Sequence, residues 1–203
     1  ISEIAEDLKR KNIPIHGLIN SAGIAYPEEF ETIQIDKFQW LMNVNFFGTV
    51  NCVKAFLPLM SSGAFIVNIS SMAGIIGVYG FSAYGASKFA VRGFSDVLRS
   101  ELKLKNIQVS IVFPPDTDTP QLEYENQFKP KITQEISGSA TSILKPQIVA
   151  KEIIKGVSAG KYMIIPGNES KFLYNLNNIL GTLSFKVMDM MVSQAVKKIN
   201  HNK

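Results

Sequence analysis

Tyr84 and Lys88 stand four positions apart in Tyr84-Gly85-Ala86-Ser87-Lys88, and Ser71 lies thirteen positions upstream of Tyr84. In a helix, positions i and i+4 project from one face, which sets a phenol beside an ammonium. A phenol titrates near ~10, and an adjacent positive charge favours its ionised form. A group tuned that way can give or take a proton at working pH. Tyr-x-x-x-Lys also arises by chance on solvated helices, so the chemistry depends on what the rest of the chain sets around the pair.

Apolar runs at 13–20, 64–70 and 107–113 read as buried parallel strands, with a fourth, short one at 162–165. Helical periodicity covers 36–60, with Asp36 as its expected N-cap, and 82–103, which carries Tyr84 and Lys88 in its first turns. A third helix opens at Pro146, with proline in its first turn. Residues 169–200 are amphipathic, with Phe185, Met188, Val192, Ala195, Val196 and Ile199 on one stripe. Residues 116–145 are polar and without a strong period, as expected of a functional loop.

Alternating strands and helices predict a parallel sheet covered on both faces. Ligands in such sheets bind beyond the carboxyl ends of the strands. The residues that could do chemistry gather there: Asn20 to Gly23 end the first strand, Ser70 and Ser71 the second, Pro114 to Thr119 the third.

Composition narrows the function classes. With 46% hydrophobic and 19% charged residues over 203 positions, the chain reads as one globular domain rather than disorder. The net charge of +4 is scattered, and Lys197-Lys198 reads as a helix end, so no nucleic-acid partner is expected. His16, His201 and the single Cys52 give no basis for a metal site. The lone cysteine excludes an internal disulfide and fits a reducing compartment. No apolar run is long enough for a spanning helix, and no signal peptide is read. The chain opens at Ile1 inside what reads as the last turns of an amphipathic helix (Ile1, Ile4, Ala5, Leu8), the expectation being a cut edge.

With these residues assembled, the chain resembles the short-chain dehydrogenase/reductase family from residue 13 to about 165. Asn20-Ser21-Ala22-Gly23 is similar to the family's Asn-Asn-Ala-Gly turn, departing at its second position. Asn43-Val44-Asn45-Phe46-Phe47-Gly48 carries the helix asparagine at Asn45. Ser71, Tyr84 and Lys88 match the catalytic serine and Tyr-x-x-x-Lys. Residues 114–119 stand where the family has Pro-Gly-x-x-x-Thr, with Pro115 at the usual glycine. A narrower likeness, in the run from Pro114 to Pro120 with Glu125-Asn126 and Lys129-Pro130, is to the branch that reduces 3-ketodihydrosphingosine with NADPH at a membrane surface.

The resemblance implies an α/β fold: a Rossmann-like doubly wound parallel sheet, lacking its first strands and glycine-rich loop in this chain. It divides the chain into a partial NAD(P)-binding domain over 1–167, with a substrate lid at 120–144, and a C-terminal amphipathic helical extension over 168–203. The implied function is NADPH-dependent reduction of a ketone on a lipophilic substrate, 3-ketodihydrosphingosine foremost. A 3-oxoacyl or hydroxysteroid-type reductase is the alternative, and a non-catalytic or membrane-peripheral relative a second.

The implied catalytic residues are Ser71, Tyr84, Lys88 and Asn45. Tyr84 would protonate the developing alkoxide, and Lys88 would lower the Tyr84 pKa and bond the nicotinamide ribose. Ser71 would hold the substrate oxygen. Asn45 would hold a water linking Lys88 to solvent, or else be a satisfied polar residue in a helix. The implied cofactor contacts are Asn20, Ala22, Gly23, Tyr84, Lys88, Pro114, Thr117 and Thr119. Gly23 also fits a turn needing positive φ, and the two threonines a turn held by the Asp116 and Asp118 side chains.

Leu122, Tyr124, Phe128, Ile132, Ile136 and Leu144 would line a chain groove or pack the lid. NADP over NAD rests on the resemblance alone. The remaining expectations are peripheral membrane contact through 169–203, and a homo-oligomer at full length through helices 36–60 and 82–103. A cytoplasmic location follows, at the cytosolic face of a membrane for a lipid substrate. On its own the chain is expected to be poorly soluble and inactive, since the strand beside 13–20 is missing.

Overall fold

The structure is a computed structural model that describes residues 1–137 and 142–201. Residues 138–141 of the expected lid and 202–203 of the expected extension lie outside the described residues. Four strands form one sheet: β1 (Ile15–Asn20), β2 (Met60–Ile69), β3 (Gln108–Val112) and β4 (Met163–Ile164). They pair in parallel in the order β1-β2-β3-β4. Parallel pairing demands crossovers, and the chain supplies helices for them.

The helices are α1 (Ser2–Arg10), α2 (Ile35–Met42), α3 (Gly48–Phe56), α4 (Ser82–Leu102), α5 (Pro120–Asn126), α6 (Lys131–Ser137), α7 (Pro146–Ser158), α8 (Asn168–Leu180) and α9 (Leu183–His201). Period-two alternation sorts β2 between two layers. Ala64 and Ile66 pack against Val53 of α3 and Leu98 and Leu102 of α4. Phe65, Val67 and Ile69 turn the other way, towards Ile153 and Val157 of α7. The sheet is therefore covered on both faces, as the alternation of elements predicts. Gly17 of β1 lies under the Phe65 ring, and a β-carbon there, 2.3 Å from it, would force the ring aside. β1 forms one edge of the described sheet, and its Ile19 is 57% exposed.

The helix expected over 36–60 is not continuous. α2 widens into a five-residue π turn over Asn43–Phe47 and resumes as α3. It then closes in a 3-10 turn over Leu57–Leu59, where Pro58 cannot donate a helical hydrogen bond. Met60 already belongs to β2, so that strand begins earlier than the apolar run suggests. Asp36 is not the N-cap: Gln34 holds that position in an extended conformation, and Asp36 Oδ1 accepts from Lys37 N at 2.8 Å.

The C-terminal helix expected over 169–200 is two helices, broken at Gly181 with φ +52° and ψ −123°, a backbone conformation open to glycine. Of the expected stripe, Ala195 is buried while Phe185 is 69% exposed. The loop of 116–145 contains the short helices α5 and α6. It is fastened to the body where Thr133 Oγ1 donates to Tyr79 O at 2.9 Å, and its own ends are joined by Leu144 N donating to Asp116 O at 3.0 Å.

Candidate active site

α4 holds the site because of which residues it buries. Ala83, Ser87, Val91, Ser95, Leu98 and Leu102 form its inner stripe, and Lys88 lies beside them, 5% exposed. The small residues Ala83, Ser87 and Ser95 let the helix approach the strand ends closely. Gly74 adds to this, since a β-carbon there would meet Ser70 Oγ at 2.4 Å and Lys88 O at 2.9 Å. The Lys88 stem is thereby buried, and its ammonium donates to Ile69 O, at the end of β2, at 3.1 Å. Its Nζ lies 5.6 Å from the centre of the Tyr84 ring.

Ser70 and Ser71 have separate tasks. Ser70 is buried and donates to Lys88 O at 2.9 Å, tying β2 to α4. Ser71 caps the 3-10 turn Met72–Gly74, its Oγ accepting from Ala73 N at 3.1 Å, and it also makes a side-chain hydrogen bond with Tyr84. The thirteen-residue spacing thus selects the serine that reaches the phenol.

The electrostatics differ from those expected of an isolated Tyr–Lys pair. Burial pushes the Tyr84 phenol above its ordinary range; the Ser71 hydrogen bond pulls it down, while the Glu125 and Asp116 carboxylates push it further up. The lowering expected from Lys88 is not what the site shows: the phenol lies above its ordinary range. Lys88 is itself brought down to about 8 by burial, which disfavours its charged form.

Asn45 is buried inside the π turn. Its Oδ1 accepts from Ile24 N at 2.8 Å, and its Nδ2 donates to Ile24 O and to Ser87 Oγ, both at 2.9 Å. Both amide hydrogens are committed, so the side chain acts as a clamp between the 21–24 turn and α4. These bonds fit the reading of Asn45 as a satisfied polar residue in a helix. Gly23 sits where this clamp meets the lysine: a β-carbon would come within 3.2 Å of Asn45 Oδ1 and 3.3 Å of Lys88 Nζ. Its φ is not positive, so close approach is what calls for glycine here, not the expected turn geometry.

The remaining expected contacts divide. Asn20 is buried and donates to Asn68 Oδ1 at 2.8 Å. Asn68 donates in turn to Ser95 Oγ at 2.9 Å, and Ser95 to Val91 O at 2.7 Å. Asn20 thus serves a buried polar chain and does not line the cavity described below; Ala22 is exposed and also lies off it. Pro114, Thr117 and Thr119 do line it. The threonines hold their own turn, Thr117 Oγ1 donating to Pro115 O at 2.9 Å and Thr119 Oγ1 to Thr117 O at 3.2 Å. Asp116 instead pairs with Lys129, so the turn is not held by aspartates as the alternative reading expects.

Gly23, Ser71, Tyr84, Lys88 and the 114–119 segment face one cavity of about 450 Å³, within the range of roughly 300–1,000 Å³ usual for small-molecule sites. Ser71, Tyr84 and Lys88 form its polar end. Of the expected lid residues, Leu122 and Ile136 line it. Tyr124 and Phe128 do not: they stack with Tyr26 in a chain of rings, at centroid distances of 5.1 Å and 4.8 Å. The far wall comes from a part of the chain the sequence reading assigned elsewhere. Leu173, Leu176 and Leu180 of α8 and Val187, Met188 and Met191 of α9 face the same space. Their apolar character is visible in the sequence, but an amphipathic stripe does not say what it covers.

A family model described as short chain dehydrogenase matches residues 1–130. A Mus musculus protein named 3-ketodihydrosphingosine reductase is 37% identical over 178 residues, covering 87% of this chain and 53% of that protein. A Dictyostelium discoideum protein of the same name is 39% identical over 189 residues, covering 91% of this chain and 56% of that protein. The chain spans about half the length of these curated relatives. A crystal structure of a short chain dehydrogenase from Burkholderia cenocepacia, in complex with NADP, shares the fold at a TM-score of 0.74 and 20% identity, covering 91% of this chain and 72% of that one.

Proposed function

The chain belongs to the short-chain dehydrogenase family, and from that membership we propose that it serves the NADPH-dependent reduction of a ketone on a long-chain lipophilic substrate, 3-ketodihydrosphingosine in particular. The observation that carries this reading is the union of Ser71, Tyr84 and Lys88 at the polar end of an otherwise largely apolar cavity. The names of the relatives supply the substrate.

The rim suits a nicotinamide cofactor. Gly23 presents bare backbone beside Lys88 Nζ, so no side chain screens the ammonium, and Pro114, Thr117 and Thr119 line the adjoining wall. Such a cofactor supplies the hydride. Lys88 would hold its ribose hydroxyls, and the 114–119 segment its carboxamide. Ser71 and Tyr84 would grip the substrate oxygen, polarising the carbonyl. Tyr84 would then release its phenolic proton to the alkoxide oxygen. A phenol held above its ordinary range stays protonated until negative charge appears on that oxygen, and the Lys88 ammonium steadies the phenolate left behind. Asn45 supports the reaction by clamping the 21–24 turn to α4.

Among the described residues, no helix is long and apolar enough to cross a membrane. We assign α8 and α9 a peripheral role. Phe172, Ile179, Leu183 and Phe185 are exposed, with Lys171 and Lys186 beside them, a composition suited to an anionic lipid surface from which a lipid ketone could enter. The outward stripe of Ala86, Phe89, Gly93 and Val97 on α4 suits pairing with a second copy.

The reading is tested by following NADPH oxidation with 3-ketodihydrosphingosine and with a 3-oxoacyl thioester or an oxosteroid as comparators. Turnover selective for the sphingoid ketone is expected. Preference for either comparator would replace it with the corresponding reductase.

A further inference from the structure

The mostly apolar cavity has one charged corner away from the Tyr–Lys pair. Lys129 Nζ lies 3.1 Å from Glu125 Oε1 and 3.6 Å from Asp116 Oδ2. Glu125 and Lys129 are both more than nine-tenths buried, whereas the Asp116 side chain is 42% exposed. All three line the cavity. Two carboxylates share one ammonium, leaving this corner one negative charge in excess. Lys88, the other cation on the cavity wall, is engaged with the carbonyl of Ile69 and is in ion-pair contact with neither carboxylate.

A buried ion pair gives little stability over apolar packing of the same volume. Its position therefore invites a reason in the ligand. The cluster also lies close enough to the reacting end to act on Tyr84, whose phenol both carboxylates push upward. A ligand carrying a positive charge near its ketone would meet that unbalanced carboxylate while its carbonyl oxygen sat at Ser71 and Tyr84.

We propose that Glu125, with Asp116, forms a recognition site for an ammonium group borne on the carbon next to the substrate ketone, so that this cavity selects α-ammonium ketones over plain long-chain ketones. Lys129 is a positioning residue that holds the two carboxylates at the wall. The inference rests on the ketone-reductase reading and specifies what that site selects. Binding of the ammonium neutralises the surplus charge beside Tyr84 and supports the ionised form of Glu125 against the burial that disfavours it.

The test compares two substrates in the purified enzyme: 3-ketodihydrosphingosine, and the same chain with hydrogen in place of the amine. The wild type should favour the amine by at least about tenfold in kcat/KM, well inside the roughly 10⁴-fold by which a site built for a polar group can reject an analogue lacking it. Glu125→Gln should bring the ratio close to one by loss on the amine alone. Asp116→Asn, at the more exposed position, should lower the ratio partway; it keeps the test open if Glu125→Gln fails to fold. A ratio unchanged in Asp116→Asn and in any folded Glu125→Gln, or parallel loss on both substrates, overturns the proposal. A wild type that reduces the plain ketone as well as the amine overturns it too, yet leaves the reductase reading standing. Turnover of neither ketone defeats that reading itself.

Discussion

The two walls of the cavity are built on opposite principles. On the strand-end wall, polar groups are buried and committed: Ser70 to Lys88 O, Lys88 to Ile69 O, Asn45 to Ile24 and Ser87. Each bond joins two elements, so the reacting groups move only if the sheet and α4 part company. The facing wall, from α8 and α9, presents leucine and methionine side chains inward while Phe172 and Ile179 (81% exposed) face outward. Apolar contact has no preferred direction, and methionine adapts to irregular shapes. The contrast assigns proton chemistry to the wall that cannot adjust, and chain accommodation to the wall that can.

The harshest way to break this division is Tyr84→Phe. Removing one oxygen from the fixed wall should cut turnover by more than ~100-fold, the low end for loss of a general acid, with cofactor affinity retained in a fluorescence titration. A variant keeping most of its ketone reductase activity would show that the proton comes from elsewhere.

Lys88→Met should lower turnover and cofactor affinity together, because the ammonium both steadies the phenolate and holds the ribose. It should also sharpen the comparison through stability. Lys88 titrates near 8 in the folded chain against an ordinary 10.5. Between those pH values the unfolded chain binds more protons, so wild-type stability rises with pH across that window and levels off above it. Lys88→Met should abolish this rise and melt a few degrees higher at pH 7, about what one kcal/mol gives a chain of this size. A flat wild-type profile between pH 8 and 10.5 would mean that the ammonium is better solvated than its burial implies.

The mildest change belongs to the adaptable wall. Each methylene buried there adds about 0.8 kcal/mol, so kcat/KM for a ketone series should climb roughly fourfold per carbon until the cavity is filled. Met188→Trp, which occupies part of that space, should end the climb several carbons earlier and leave short ketones unaffected. A series that stays flat in the wild type would remove the chain from this cavity.

Much of the fixed wall is legible in the sequence, and for a physical reason. Tyr84 and Lys88 share a helix face through a local spacing, and the apolar runs that become β2 and β3 need no partner to be recognised. What escapes depends on contacts between distant segments. Asn20 reads as a cofactor contact because it ends a strand beside a glycine turn. Only the register that sets it opposite Asn68 shows that its amide donates within the sheet. Gly23 reads as a turn glycine, because the approach of Asn45 and Lys88 from two other elements cannot be seen in a linear string. The adaptable wall is less legible still: α8 and α9 announce an apolar stripe, while the break at Gly181 and the cavity they close depend on the third dimension.

The widened turn at Asn43–Phe47 has a consequence for how much this part of the chain can vary in length. The buried residues Leu41, Asn45, Thr49 and Val53 recur at intervals of four. At about 100° per residue, three such steps in a regular helix would drift by roughly 120° around the axis. α4 meets the same drift by shortening one step, from Ser95 to Leu98. The α2–α3 rod corrects its phase by taking an additional residue into one turn. Its angular setting is therefore counted in whole residues: one fewer between 43 and 47 would leave a regular helix with Leu41 and Val53 still in phase, whereas a regular helix through all the present residues would set them about 120° apart. The rod could then keep its grip on α4 or its seat beneath the sheet, but not both.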